Sequence, residues 1–171
     1  VSVWYYCYLR WALSVADNCR IKYLRLGDSI LLGREQVLRQ PIDVLQTDDI
    51  TLIADVIESK VKPYQPWGKI AHTAFGAKSP AKDRGQISQT ILAIGHQDTD
   101  PSGVGPPLGI EILGASSDHL IVDSGLDSLA VGAEMKFQIN YSALIRVMTS
   151  PFVAKVVTLQ SAPVPARHVN H

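Results

Sequence analysis

The stretch AIGHQDTDPSGVGPPLGIEILGASSDHLIVD, residues 93–123, contains the ends of two apolar runs that each lead into a polar turn. The run 90–94 continues into the polar residues 96–98, and the run 109–113 leads to the turn 116–119. Short apolar runs that are bounded by turn residues predict strands. Because binding and catalytic residues are concentrated in loops that a rigid scaffold positions, the two turns predict part of an active-site wall.

Other strand candidates recur along the chain. The clearest is 50–60, whose residues alternate and place Ile50, Leu52, Ala54 and Val56, with Glu58 as a further candidate, on one face. Turn formers break up 62–83, which is predicted to be mostly loop, and 143–148 is predicted to be a helical turn. The further strand candidates are 24–25, 87–94, 110–113, 119–122, 134–140 and 152–158. Many strands joined by short turns, without long amphipathic helices, predict a closed or sandwiched antiparallel β domain.

Composition narrows the class of protein. The length of 171 residues allows one domain with a sizeable core, and 16 basic against 16 acidic residues argues against a nucleic-acid partner. Two thiols, Cys7 and Cys19, without a disulfide framework indicate a reduced, cytoplasmic protein. The apolar segment 1–16 is interrupted by Arg10 and is shorter than the ~20 residues that a spanning helix needs, so no membrane anchor is expected. It also has no basic region ahead of it, as a signal peptide would have.

Five motifs, in order, resemble the C-terminal part of the ornithine racemase branch of the alanine racemase family. They are LRLGDSILLGRE at 24–35, DRG at 83–85, AIGHQDTD at 93–100, GIEILGASSDHLIVD at 109–123 and YSALIRVMTSPFVAK at 141–155. The resemblance implies a C-terminal β domain of the kind found in fold-type III pyridoxal-phosphate racemases. In that family, an N-terminal (β/α)8 barrel holds pyridoxal 5'-phosphate.

The resemblance also implies how the chain is divided. Residues 1–23 would be a remnant of the barrel's end and 24–160 the β domain. The composition of 161–171, with two prolines and two histidines, separately predicts a disordered tail. The family's phosphate-binding Gly-Gly-Asn-Ser stretch would fall near 4–7, where this chain has the bulky sequence WYYC. The family's cofactor-bearing lysine has no counterpart in these 171 residues. We therefore expect no racemase activity from this polypeptide alone.

Four residues match the family's cofactor contacts. Arg25, Gly27 and Asp28 match an Arg-x-Gly-x motif, in which the arginine approaches the pyridine nitrogen and the next two matched positions offer backbone amides to the phosphate. A cation at the ring nitrogen keeps it unprotonated and weakens the cofactor as an electron sink, which favours racemisation. Tyr141 matches the tyrosine of a Tyr-x-x-Leu segment that reaches the phosphate. The alternatives are a surface arginine, a turn glycine and a half-buried tyrosine anchor.

His96 matches the position of the tyrosine that serves alanine racemases as the second acid/base. Racemisation needs two such groups, because a proton taken from one face of the α-carbon must be returned on the other. A neutral imidazole can exchange protons near neutral pH. The alternative is a histidine that bonds a neighbouring carboxylate within the turn.

The substrate contacts implied by the resemblance are Ser117 and Asp118, in place of the first two residues of the family's Met-Asp-Gln segment near the substrate carboxylate. Charge suggests a further contact, from Asp98 or Asp100 to the distal ammonium of ornithine. Although aspartates and histidines are numerous in the two turns, their spacing does not define a complete set of ligands for a metal ion, and no metal site is predicted.

Three functions remain open at this point. The first is the C-terminal domain of a pyridoxal-phosphate-dependent racemase of ornithine or another basic amino acid, in a homodimer whose active site is shared, so that His96 acts in trans. The second is a non-catalytic β module that pairs with itself or with an intact racemase. The third is an unrelated β-barrel binding protein, which would make all five motif matches coincidental.

Overall fold

A computed structural model of the chain describes residues 2–3, 23–24, 27–35, 39–43, 45–64, 84–125 and 129–158. The helices within these residues are α1 (Asp28–Leu32) and α2 (Tyr141–Thr149), and Pro101–Gly103 forms a 3-10 turn. The strands are β1 (Ser2–Val3), β2 (Tyr23–Leu24), β3 (Thr51–Pro63), β4 (Gln86–Leu92), β5 (Val104–Gly105), β6 (Glu111–Ala115), β7 (Leu120–Asp123) and β8 (Glu134–Ile139). The predicted mainly β fold class is confirmed.

Six of these strands form one antiparallel sheet, in the order β5-β8-β3-β4-β7-β6, and β1 pairs with β2 in a separate parallel pair. The long strand β3 joins the two halves of the sheet. Its first part, Thr51 to Asp55, pairs with β8, and its second part pairs with β4 after a shift of register between Val56 and Glu58. An extra residue on one strand bends it and increases its twist, so the sheet curls at this bulge.

The core lies on one face of the curled sheet. Leu52, Ala54 and Val56 are buried and alternate with exposed residues, as the sequence pattern predicts. Phe137 of β8 and the paired residues Leu92 and Leu120 are also fully buried. The apolar side of α2 closes the core with three buried residues, Ala143, Leu144 and Val147.

Helix α2 begins at a well-defined cap. The side chain of Asn140 accepts a hydrogen bond of 3.0 Å from the amide of Ala143, which satisfies one of the amides that the first turn of a helix leaves unpaired. The sequence predicts only a helical turn at 143–148, and the structure extends it to nine residues.

The structure corrects two predictions of local structure. The segment 152–158 is not a strand: it follows Pro151 as bends and irregular chain, and its apolar residues Phe152, Val156 and Val157 are exposed. Lys155 donates to the carbonyl of Ser150, which draws this segment back to the end of α2 instead of to a sheet edge. The predicted strand 24–25 is Tyr23–Leu24, one residue earlier.

The other strand predictions agree with the structure to within a few residues. The predicted remnant 1–23 and tail 161–171 lie outside the described residues, apart from β1 and Tyr23, and so does most of the predicted loop 62–83. In the described part of the chain, no helix has the length and apolar character to cross a membrane.

Candidate functional site

The two polar turns lie side by side at one end of the sheet. Leu92 of β4 is paired with Leu120 of β7, and because these strands are antiparallel, the end of one lies beside the beginning of the other. The amide of His96 donates to the carbonyl of Ser116, and the amide of Gln97 donates to the carbonyl of Ser117, each over 3.0 Å. The sequence prediction that both turns contribute to one wall is consistent with these bonds.

Gly95 allows this close approach. A Cβ atom at this position would lie 2.3 Å from the carbonyl oxygen of Ser117, which is far below a van der Waals contact. The carbonyl of Gly95 also accepts hydrogen bonds of 3.0 Å from the amides of Asp98 and Thr99, which close the turn. Glycine is therefore required at position 95, because the backbone of the first turn packs directly against the backbone of Ser117 and Asp118.

The second turn presents polar side chains to solvent. The amide of Ser116 donates to the carbonyl of His119 over 2.8 Å, and the amide of His119 donates to the hydroxyl of Ser116 over 3.0 Å. These bonds close the turn and leave Ser117 and Asp118 exposed at its tip. The predicted substrate residues are thus accessible and adjacent to the turn that carries the half-buried His96.

Helix α2 is the third part of the site. The hydroxyl of Ser150 donates over 2.8 Å to the carboxylate of Asp98, which is only 5% exposed, and the hydroxyl of Ser142 donates over 2.5 Å to the carboxylate of Asp100. Arg146 makes a longer contact of 3.4 Å with the carbonyl of His96. The two aspartates that were predicted to contact the substrate ammonium therefore already accept hydrogen bonds from serine hydroxyls of the same chain.

Asp100 is held in its ionised form. The hydroxyl of Ser142 and then the hydroxyl of Ser102 donate to it, and with the Ser102 amide and the nearby charge of Arg146 they lower the pKa of the Asp100 carboxyl. Hydrogen bonds to the charged form and a neighbouring cation both favour ionisation. The turn therefore carries a lasting negative charge next to α2.

Tyr141 is the first residue of α2 and is half exposed. It directly precedes Ser142, so it sits at the end of the helix that Asp100 holds. Together with Ile145 and Met148 it forms what we call the apolar stripe, three exposed residues of α2 at helical spacing.

Gly27 and Asp28 lie at the start of α1, and Arg25 lies outside the described residues. The carbonyl of Gly27 accepts hydrogen bonds from the amides of Ile30 and Leu31, and Leu32 packs against the core. None of the hydrogen bonds that join the two turns to α2 involves Gly27 or Asp28. In the described part of the chain, no three acidic, histidine or cysteine side chains are grouped so that they could hold a metal.

The sequence analysis did not identify Ser142 and Ser150, which hold the His96 turn. Each serine is four residues from Arg146, and this spacing places all three side chains on the same side of the helix that was predicted there. The identity of their partners was not available from local patterns, because Asp98 and Asp100 lie far away along the chain.

Comparison with known proteins supports the resemblance. The chain is 42% identical over 138 residues to the lysine racemase of Thermotoga maritima, covering 80% of this chain and 39% of that protein. It is 44% identical over 138 residues to the ornithine racemase of Acetoanaerobium sticklandii, covering 79% of this chain and 39% of that protein. No family model and no solved structure matches. The chain is thus a homologue of these racemases and spans about two fifths of their length.

Proposed function

From this homology, we propose that the chain is the C-terminal domain of a pyridoxal-phosphate-dependent racemase that acts on ornithine or another basic amino acid. The observation that carries the proposal is the bonding between the two polar turns, which presents His96, Ser117 and Asp118 together at one end of the sheet. A location in the cytoplasm is part of the same proposal and rests on the cysteine pattern.

The start of α1 carries a buried carboxylate, Asp28, and a buried hydroxyl, Ser29, and of these side chains only the hydroxyl suits the phosphate of the cofactor. The hydroxyl of Ser29 is buried and has no hydrogen-bond partner among the described residues, so a donor is in place beside Gly27 and Asp28. Tyr141 supplies a second, exposed hydroxyl. In this proposal the backbone amides of Gly27 and Asp28 and the hydroxyl of Tyr141 would hold the phosphate, and Arg25 would approach the pyridine nitrogen. When bound, the cofactor supplies a sink for the electron pair of the α-carbon.

The role of His96 is to move a proton at the α-carbon. The imidazole would take the proton from one face of the α-carbon, and the imidazolium so formed would return it there, while a lysine in the barrel would act on the opposite face. Ser117 and Asp118 orient the substrate through its carboxylate, with the exposed Ser117 hydroxyl as a donor. These assignments follow the motif positions, and the exposure of both residues supports them.

The site is proposed to be shared within a homodimer. The apolar stripe of Tyr141, Ile145 and Met148 begins at a predicted site residue, and an exposed apolar patch of this kind marks a surface that another protein surface covers. We propose that the barrel of the second subunit covers it, so that His96 acts in trans. The 171 residues alone are then expected to be inactive.

The test is a chimera in which residues 24–160 replace the corresponding part of the Acetoanaerobium sticklandii ornithine racemase. We expect interconversion of L- and D-ornithine, measured by chiral chromatography. His96→Ala should slow it by about 10²–10⁴-fold, the usual contribution of a general acid/base. The same variant should still exchange the α-proton of one enantiomer with deuterium, because the lysine remains. His119→Ala, which removes an exposed histidine of the second turn, is the matched control.

A second candidate function is a non-catalytic module that pairs with itself or with an intact racemase, and the apolar stripe favours it equally. The chimera separates the two. A dimer that binds the cofactor but neither racemises ornithine nor exchanges its α-proton would refute the racemase and support the module.

A further inference from the structure

One face of α2 contacts the His96 turn at three places. Ser142, Arg146 and Ser150 follow one another at intervals of four residues, a spacing that places side chains on the same side of a helix. Their partners are Asp100, the main-chain carbonyl of His96, and Asp98. Three residues of the turn, His96, Asp98 and Asp100, therefore contact α2 or Ser150, the residue that caps its end.

The contact at Asp98 is the most protected of the three. Asp98 is 5% exposed and Ser150 is 4% exposed, and the bond between them is 2.8 Å long. A buried carboxylate without donors is strongly unfavourable, so this bond makes the burial of Asp98 tolerable. A side chain in this setting is poorly placed to bind a substrate ammonium that enters from solvent.

We propose that Asp98 is a positioning residue that, with Ser150, fastens the His96 turn to α2, and that Asp100 and Ser142 do the same at the other end of the helix. The fastening sets the distance between His96 and Tyr141, the first residue of α2. The importance of these contacts for catalysis rests on the proposed racemase function. The contacts themselves are hydrogen bonds of the structure and do not depend on that proposal.

Two substitutions distinguish positioning from substrate binding. An ion pair with a substrate ammonium needs the negative charge of Asp98. A hydrogen bond from Ser150 needs only an oxygen acceptor, which asparagine retains and alanine lacks. Asp98→Asn should therefore preserve the position of His96, and Asp98→Ala should not.

The experiment uses NMR on the 171-residue chain. The ring resonances of His96 report its surroundings, and hydrogen exchange of the amides of Gln97 and Thr99 reports the turn, since both donate within the site. In Asp98→Ala and Ser150→Ala, we expect the His96 ring signals to shift and both amides to exchange about tenfold faster or more, because each change leaves a buried polar group without its hydrogen-bond partner. In Asp98→Asn, we expect both measurements to stay near those of the unchanged protein.

Two comparisons separate the fastening from general destabilisation. Thr149→Val removes a hydroxyl whose partners among the described residues are the helix carbonyls of Ile145 and Arg146, and it should leave the turn unchanged. The amides of β7 serve as an internal reference, because a loss of global stability would speed their exchange as well. If Asp98→Ala does not fold, the exposed Ser142→Ala should still speed exchange in the turn.

Two results would overturn the proposal. One is unchanged His96 signals and amide exchange in Asp98→Ala, or in Ser142→Ala and Ser150→Ala if Asp98→Ala does not fold. The other is an Asp98→Asn variant that disturbs the turn as strongly as Asp98→Ala, since charge and not an acceptor would then be required. Neither result bears on whether the chimera racemises ornithine, so failure of this proposal is distinguishable from failure of the proposed function.

Discussion

The hydroxyl groups of Thr90 and Thr99 are both fully buried, yet replacing each with valine should change stability in opposite directions. Thr90 lies in a chain of hydroxyls: its oxygen is 3.0 Å from those of both Ser59 and Ser124. Ser124 donates its single proton to the carbonyl of Ser88 over 3.1 Å. Thr90 must therefore donate to Ser124 and accept from Ser59.

The hydroxyl of Thr99, in contrast, has no hydrogen-bond partner among the described residues. Thr90→Val loses two bonds worth about 1 kcal/mol each, so we expect a loss of about 1–3 kcal/mol in the free energy of unfolding. Thr99→Val removes an unpaired buried hydroxyl and should gain about 1 kcal/mol. For a domain of this size, the two melting temperatures should differ by roughly 5–15 °C.

Urea unfolding followed by circular dichroism measures both changes, with equal slopes required for the comparison. Thr51→Val is the control: this threonine is exposed at the start of β3, and its hydroxyl is 3.5 Å from the carbonyl of Asp48. We expect its effect to stay within about 0.5 kcal/mol. If Thr99→Val destabilises the domain as much as Thr90→Val does, the reasoning is wrong, and the Thr99 hydroxyl has a partner that the described residues do not include.

Two further predictions concern the close approach of the turns and the acid side of the stability profile. Gly95→Ala should lower the free energy of unfolding by about 1–3 kcal/mol through overpacking, because the new Cβ would lie 2.3 Å from the Ser117 carbonyl oxygen. Gly114→Ala is the control and should change stability little, because a Cβ there would meet no atom within 4 Å. The urea midpoints of the two variants test this, and equal midpoints would contradict the close contact. Glu58 has its pKa lowered from 4.5 to about 2, mainly by hydrogen bonds from Lys60 and Lys62. A carboxyl whose pKa is lower in the folded state contributes stability above pH 4.5 that is lost as the pH falls towards 2. In Glu58→Gln, the free energy of unfolding should therefore depend less steeply on pH between 4.5 and 2. An unchanged slope would argue against these two hydrogen bonds.

Sequence patterns identified much of the sheet because its signal is local. The alternation of Leu52, Ala54 and Val56 reports burial on one face, and the structure confirms it. The same reasoning failed at 152–158, where apolar residues alone suggested a strand. A strand also needs a neighbouring strand with which to form hydrogen bonds. This segment instead follows Pro151 as irregular chain, and the Lys155 amine donates to the carbonyl of Ser150 at the end of α2.

The residues that hold the site were harder to predict, because their partners are distant in sequence. Ser142 and Asp100 are 42 residues apart, and Ser150 and Asp98 are 52 residues apart. Residue type marked both aspartates as candidates for chemistry, but only the three-dimensional structure shows that Asp98 is buried and already paired. Charge and position predicted a contact with substrate, and burial points to a supporting role.

Two hydrogen bonds anchor residue 96 through its main chain: its amide donates to Ser116, and its carbonyl accepts the contact from Arg146. The turn is further closed by Gly95 and fastened through Asp98 and Asp100, all of them neighbours of residue 96. These contacts act on the main chain at residue 96 and on its neighbours, so the fold fixes the point at which this side chain leaves the turn.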